Sequence, residues 1–414
     1  MTQSTSQSST FVIVGGGLAG AKAAEALRDN DFGGKVILFA AEDRLPYERP
    51  PLSKEYLAGK KALADFTVDP ADWYRDHHID LRVGTTVTAV NPGDHTVTLP
   101  DDSTVGYDKL LLATGSAARR PPIPGSDAAG VRYLRTIDDA AALRDTLTEG
   151  ASLAIIGAGW IGLEVAAGAR ERGVNVTVVE SAQLPLLGSL GAEVGEVFAQ
   201  LHRDHGVDLR LSETVQEITV AGGRATGLKL GDGSTVAADA VLVAVGAAPN
   251  ITLAEEAGLT ITDGGVQVDA TLRSSDPDIY AVGDIATAQN PVFDARIRTE
   301  HWANALKQPA TAVAGMLGKP TEYAELPYFF TDQYNLGMEY VGYAPEYEQV
   351  AFRGNVAKLE FVAFWLSTDN RVLAGMNVNV WDVLDDIKTL IRSGAQVDPQ
   401  HLADPQRPLN APTA

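Results

Sequence analysis

The stretch Ala154–Glu180, AIIGAGWIGLEVAAGARERGVNVTVVE, constrains the fold more than any other. The apolar run Leu153–Ile156 meets Gly157, Gly159 and Gly162. A helical segment follows, and a second apolar run, Val176–Val179, ends at Glu180. This is the strand, glycine turn, helix, strand and acid of a dinucleotide site. Gly157 permits the tight turn, Gly159 lets the backbone approach a pyrophosphate, and Gly162 lets the helix lie close to its strand. The helix N-terminus then offers free N–H groups and the positive end of its dipole. Glu180, 23 residues beyond Gly157, is placed to accept hydrogen bonds from a ribose diol. A carboxylate there repels a 2′-phosphate, and Ser181-Ala182-Gln183 supply no cation to receive one. The expected ligand is NAD(H) rather than NADP(H).

A second copy near the N-terminus strengthens this reading. Phe11–Val14 is followed by Gly15, Gly17 and Gly20, an Ala-rich helix over Ala19–Arg28, the strand Val36–Phe39, and Glu42. Two dinucleotide folds suggest two dinucleotides, and FAD plus a nicotinamide is the pairing to test first.

The 414 residues contain no cysteine. A disulfide, a Cys-ligated iron–sulfur cluster and a redox-active thiol pair are therefore excluded. A net charge of −21 argues against nucleic acid and anionic membrane surfaces as partners. No apolar run approaches the ~20 residues that span a bilayer, and no metal-ligand spacing stands out: His77-His78 reads as surface. The opening MTQSTSQSST and the closing PQRPLNAPTA read as disordered tails, the former unlike a signal peptide. A soluble, cytoplasmic protein is expected.

Between the two fingerprints, Leu45–Lys54 carries Pro46, Pro50 and Pro51, which stiffen a segment bearing Arg49 and Lys54. A helix over Pro70–His77, a strand over Ile79–Val83 and a hairpin around Asn91–Asp94 follow. The apolar strand Tyr107–Ser116 closes on Thr114-Gly115, and its counterpart Ala238–Gly246 closes on Gly246; both ends are counted with the cofactor-binding positions. Tyr280–Asp284 is a strand ending at a Gly-Asp step, where open α/β sheets bind ligands, and Asp284 suits a polyol chain. Arg298–Leu317 reads as one helix disturbed only by Pro309. From about Tyr323 the character changes: Val356–Leu366 and Val372–Val380 read as strands and Asp382–Ile391 as an amphipathic helix.

The expected class is α/β, with two Rossmann-type dinucleotide-binding domains in a glutathione-reductase-like arrangement. An FAD-binding domain over 1–118 and 248–322 is interrupted by an NADH-binding domain over 119–247. An α+β domain over 323–414 follows.

Leu45–Lys54 (LPYERPPLSK), Ile156–Glu164 (IGAGWIGLE), Tyr280–Asp284 (YAVGD) and Glu300–Asn304 (EHWAN), in this order, resemble the flavin-dependent ferredoxin reductases of bacterial oxygenase systems. The resemblance runs from about Phe11 to Ile391. It implies FAD bound through Gly15, Gly17, Gly20, Glu42, Arg49, Lys54 and Asp284, with Trp302 near the isoalloxazine. It implies NADH on Gly157, Gly159, Gly162 and Glu180, and a Glu164–Lys54 ion pair at the flavin's reactive face. Those two residues are the catalytic candidates; no metal is expected.

Two departures stand out. Where the family has Phe-Trp-Ser-Asp-Gln, this chain has Phe329-Phe330-Thr331-Asp332-Gln333, so Phe330 keeps an aromatic face but loses an N–H donor. Gly337–Gly342 is closer to the apoptosis-inducing-factor branch. The implied activity is NADH-dependent reduction of FAD, followed by single-electron delivery to a ferredoxin-type or other one-electron carrier, by a monomer or weak homodimer. The alternatives are a slow, redox-responsive flavoprotein with a stable NADH charge-transfer complex, and an NADH oxidase or quinone reductase. Because ferredoxins are usually acidic, docking needs a local basic patch, for which Arg296, Arg298, Lys307 and Arg353 are candidates.

Overall fold

The computed structural model describes residues 9–409. Residues 1–8 and 410–414 of the expected tails lie outside the described residues. Two compact units are present. The first comprises the described residues of Met1–Glu48 with Leu63–Ala117 and Ala248–Pro327. The second comprises Arg49–Ala62, Ala118–Ala247 and the described residues of Tyr328–Ala414. Arg49–Ala62 thus groups with the second nucleotide fold rather than the first.

In the first unit, five parallel strands run in the order Ile279–Ala281, Lys109–Leu112, Thr10–Val14, Lys35–Phe39 and Ile79–Arg82. Val12 pairs with Ile37 on one side and Leu110 on the other. All three are buried, as the unbroken apolar runs of a parallel sheet require. The crossover helix Leu18–Asp29 buries Ala19, Gly20, Ala21, Ala23, Ala24 and Leu27. Its small residues let it pack closely on the helix Trp302–Met316. That second helix starts later than the sequence suggests. Ala295–Ile297 pair as a strand with Ala288–Asn290, and Arg298 is held by Glu300 at 2.5 Å and by the Asp263 carbonyl at 3.1 Å. The Asn304 amide closes the first turn on Thr299.

The second unit repeats the parallel sheet in the order Asp208–Arg210, Asn175–Val179, Ser152–Ile156, Ala240–Val243 and Val131–Arg132. The helix Trp160–Glu171 follows the central strand. Its C-terminal portion is a five-stranded antiparallel sheet, Tyr328–Gln333, Leu336–Gly342, Val372–Val378, Glu360–Leu366 and Gln349–Asn355. Trp365 is fully buried there, and its indole N–H donates to the Leu190 carbonyl at 3.0 Å. The helix Leu384–Ser393 lays Ile387, Leu390 and Ile391 against the sheet. The strand expected from Val356 begins instead at Glu360. Asn355 caps a single turn over Val356–Lys358 by accepting the Lys358 N–H, and Leu359 takes a left-handed conformation.

The closing stretch also differs from its expectation as far as Leu409. Arg353 donates to the carbonyls of Leu402, Asp404, Pro405 and Arg407, and Leu409 is buried. One guanidinium therefore organises a segment whose own composition specifies nothing. Replacing it (Arg353→Ala) removes these bonds, each contributing ~1 kcal/mol. Limited proteolysis is expected to trim the variant near residue 404 while the wild type resists.

Candidate functional site

The two glycine turns have the same construction. Gly15 (φ +129) and Gly157 (φ +102) occupy left-handed backbone, and a Cβ would stand 2.0 Å from the Ala113 carbonyl oxygen and 2.5 Å from that of Ala244. A Cβ at Gly20 would lie 1.9 Å from the Gly15 oxygen, and one at Gly162 would lie 2.2 Å from the Gly157 oxygen. These four glycines are required by backbone packing. The middle glycines differ: a Cβ on Gly17 or Gly159 would meet no protein atom within 4 Å. Each precedes the first turn of a 12-residue helix whose N-cap makes no side-chain bond. The pyrophosphates of FAD and NADH fit these open cradles, where unpaired N–H groups and the helix dipole favour an anion.

Both acids lie beside their turns. Glu180 accepts from the Ala158 N–H at 2.7 Å and the Ala182 N–H at 2.8 Å, so its carboxylate is fixed against the turn with lone pairs to spare for a diol. Glu42 accepts from the Tyr47 hydroxyl at 2.6 Å. Thr114 and Gly115 are braced by Asn250: the Thr114 hydroxyl donates to its carbonyl, and its amide N–H donates to the Gly115 carbonyl. Gly246 (φ +97) accepts from the Arg119 N–H. Asp284 is buried in the short turn Gly283–Ile285, which Gln308 secures by accepting the Gly283 N–H at 2.7 Å. The Trp302 indole N–H donates to Glu48 at 3.1 Å, and Arg49 donates to the Arg135 carbonyl.

The second unit holds the densest chemistry. Glu164, on the first turns of Trp160–Glu171, is only 5% exposed. Its Oε1 accepts from Lys54 Nζ at 2.6 Å and from the Thr331 hydroxyl at 2.7 Å. Its Oε2 accepts from the Ser53 hydroxyl. Lys54 Nζ also stands 5.4 Å from the Phe330 ring centroid, a cation–π distance. Burial raises the nearby Asp332 above the ordinary carboxylate range, with Lys54 opposing it. Ser53 and Thr331 escaped the sequence reading. The signal for Thr331 was present, because the position keeps a hydroxyl where its neighbour Phe330 departs.

The four cations proposed as a docking patch are otherwise engaged. Arg296 donates to the Val268 carbonyl, Lys307 pairs with Glu325 at 3.0 Å, and Arg298 and Arg353 are committed as described. His77 and His78 are exposed, as expected, with His77 stacked on Trp73.

A pyridine nucleotide-disulphide oxidoreductase domain matches residues 9–309, and a reductase C-terminal domain matches 328–412. The chain belongs to the ferredoxin reductases of this family. It is 40% identical over 395 residues to the ferredoxin–NAD(+) reductase component of an anthranilate 1,2-dioxygenase system from Burkholderia cepacia, covering 95% of this chain and 97% of that one. Rhodocoxin reductase of Rhodococcus erythropolis is 39% identical, with 89% and 86% covered. Among solved structures, the covalent putidaredoxin reductase–putidaredoxin complex superposes with a TM-score of 0.94 at 36% identity, covering 98% of each chain. Among the described residues, no helix is long and apolar enough to cross a membrane.

Two stability outcomes follow from this geometry. Gly162→Ala forces a Cβ onto the Gly157 carbonyl and is expected to cost about 1–3 kcal/mol. Gly159→Ala points into open space and is expected to stay within ~0.5 kcal/mol of wild type; urea midpoints compare the two. His202 is fully buried, and burial pulls its pKa to about 4 from an ordinary 6.5. Between those values the unfolded chain binds more protons than the folded one. This contribution to stability is therefore complete above pH 6.5 and declines toward pH 4, by up to ~1.4 kcal/mol per unit. Urea midpoints measured at pH 7 and pH 5 in a His202→Leu background, set against wild type, isolate the effect.

Proposed function

We propose that the protein is an NADH-dependent flavoprotein reductase that passes electrons through FAD to a one-electron, ferredoxin-type carrier of an oxygenase system. The observation that carries the proposal is the buried Lys54–Glu164 pair in a chain without a single cysteine. Members of a family defined by disulphide chemistry need thiols for that chemistry, and this chain has none. Its relatives' names point the same way, toward carriers rather than disulfides, and favour a reductase over a slow redox-responsive flavoprotein or an oxidase.

FAD, when bound, supplies acceptance of a hydride from NADH and its release as single electrons. The chain's own residues supply orientation and field. Gly15, Gly17 and Gly20 with Glu42, Thr114, Gly115, Asp284 and Trp302 hold the flavin nucleotide; Arg49 and Lys54 add cationic partners. Gly157, Gly159, Gly162 and Gly246 hold NADH, and Glu180 selects its unphosphorylated ribose. Lys54 places positive charge where the reduced ring becomes anionic, and Glu164 holds Lys54 in place. Phe330 provides a flat apolar wall beside the ammonium. The acceptor is a protein carrier, the reductase acts as a monomer or weak homodimer, and the cytoplasm, where NADH is produced, is its setting.

Lys54→Met keeps the length of the side chain and removes the charge. The variant is expected to purify yellow with FAD bound. Its single-turnover reduction by NADH in stopped flow should slow at least tenfold, about 1.4 kcal/mol of barrier. Reduction at the wild-type rate would remove Lys54 from the mechanism.

A further inference from the structure

We propose that Tyr334, His202, Gln333 and Thr331 form a one-way chain of hydrogen-bond donors that ends on Glu164 and fixes where its carboxylate sits. His202 is thereby a positioning residue, and the proposal rests on the assignment of the Lys54–Glu164 pair to flavin reduction.

Proton counting sets the direction. An ionised carboxylate only accepts, and Thr331 has one hydroxyl proton, which must point at Glu164 Oε1, 2.7 Å away. The Thr331 oxygen can then only accept from Gln333, whose Nε2 lies at 3.2 Å. With its amide turned that way, Gln333 presents Oε1 to His202 Nε2 at 2.8 Å, so that nitrogen must carry a proton. A neutral imidazole carries one proton, which leaves Nδ1 bare, and the Tyr334 hydroxyl, 3.4 Å off, donates to it. The reverse orientation fails at the last link, where two oxygens would face each other without a hydrogen. His202, Thr331 and Gln333 are each no more than 1% exposed, so water does not substitute for a missing partner.

The far end is anchored by backbone strain. Tyr334 occupies left-handed backbone (φ 54) in the two-residue turn between Tyr328–Gln333 and Leu336–Gly342, and its ring stacks on His205 at 3.7 Å. A tyrosine is costly in that conformation; here it sets the ring against His202. Burial keeps His202 neutral at pH 7, as the chain requires. The charged and titratable groups nearby are Lys54 and Asp332 facing Glu164, His205 facing His202, and Arg170 and Glu171 beside Tyr334.

The test begins with FAD-loaded protein labelled with ¹⁵N-histidine at pH 7, the His202 resonances being assigned by their loss in His202→Gln. A neutral ring protonated at Nε2 is expected. A ring protonated at Nδ1, or a charged one, overturns the chain. Thr331→Val then removes the terminal donor at constant volume. Loss of a hydrogen bond to a charged group should move the acid limb of NADH-driven flavin reduction up by about one pH unit, and Thr331→Ser should restore it. An unmoved limb in folded, yellow Thr331→Val also overturns the chain. If Thr331→Val fails to fold, the wild-type tautomer decides alone. The two proposals fail separately: a wild-type rate in Lys54→Met rejects the pair's role, whereas a slow Lys54→Met with the wrong His202 tautomer rejects only the donor chain.

Discussion

A carboxylate taken out of water must be repaid by partners on the spot, and Glu164 is that carboxylate here. Desolvating an isolated acid costs several kcal/mol, and removing Lys54 would leave two neutral hydroxyls around an uncompensated charge. The adjacent Ser53 and Lys54 meet it from one stretch of the sequence and Thr331 from another. The helix that carries Glu164 starts at the Gly159 cradle. The same first turns therefore present N–H groups at one end and a buried acid one turn further on. The position of the acid is thus tied to the position of the nucleotide turn, with no flexible linker between them.

The two nucleotide folds show how repetition separates what a glycine is for. The outer glycines of each turn are forced by the fold, because a Cβ would strike a carbonyl oxygen within 2.5 Å. The middle ones face open space, where no protein atom within 4 Å demands a glycine. The acids that close the two motifs are treated differently. Glu180 is gripped by two backbone N–H groups, while Glu42 is steered by a tyrosine from the proline-stiffened segment. The same glycine spacing is thus followed by one acid set by its own turn and one set by a neighbouring loop.

What the sequence reveals here depends on how local the cause is. Strands, crossover helices and glycine turns are written in contiguous residues, and the parallel sheets follow with their register. Helix Trp302–Met316 starts four residues later than its pattern suggests because Arg298 is held by the distant Asp263 carbonyl and Asn304 turns back onto Thr299. Residues 405–409 look disordered by composition, yet Arg353, some fifty positions upstream, supplies their order. Ser53, in a short helical turn, and Thr331, in the strand Tyr328–Gln333, become meaningful only where the fold brings both hydroxyls to Glu164. The candidate docking cations are legible as residues but not in their contacts: carbonyls position Arg296 and Arg353, and carboxylates pair with Arg298 and Lys307.

The absence of cysteine gives the electrostatics their weight. A thiol pair beside a cofactor can store two electrons covalently, and its chemistry then depends on thiolate character and access. Without thiols the protein has no covalent store of its own, so its influence on the electrons is exerted through charge and contact. A single lysine held by a buried glutamate is a fixed positive charge whose location does not relax when the charge opposite it changes. Such preorganisation is effective because the dipoles need not reorient during reaction. The neutral, tautomerically fixed His202 extends the same logic outward, ordering the hydroxyl that steadies the glutamate that steadies the lysine.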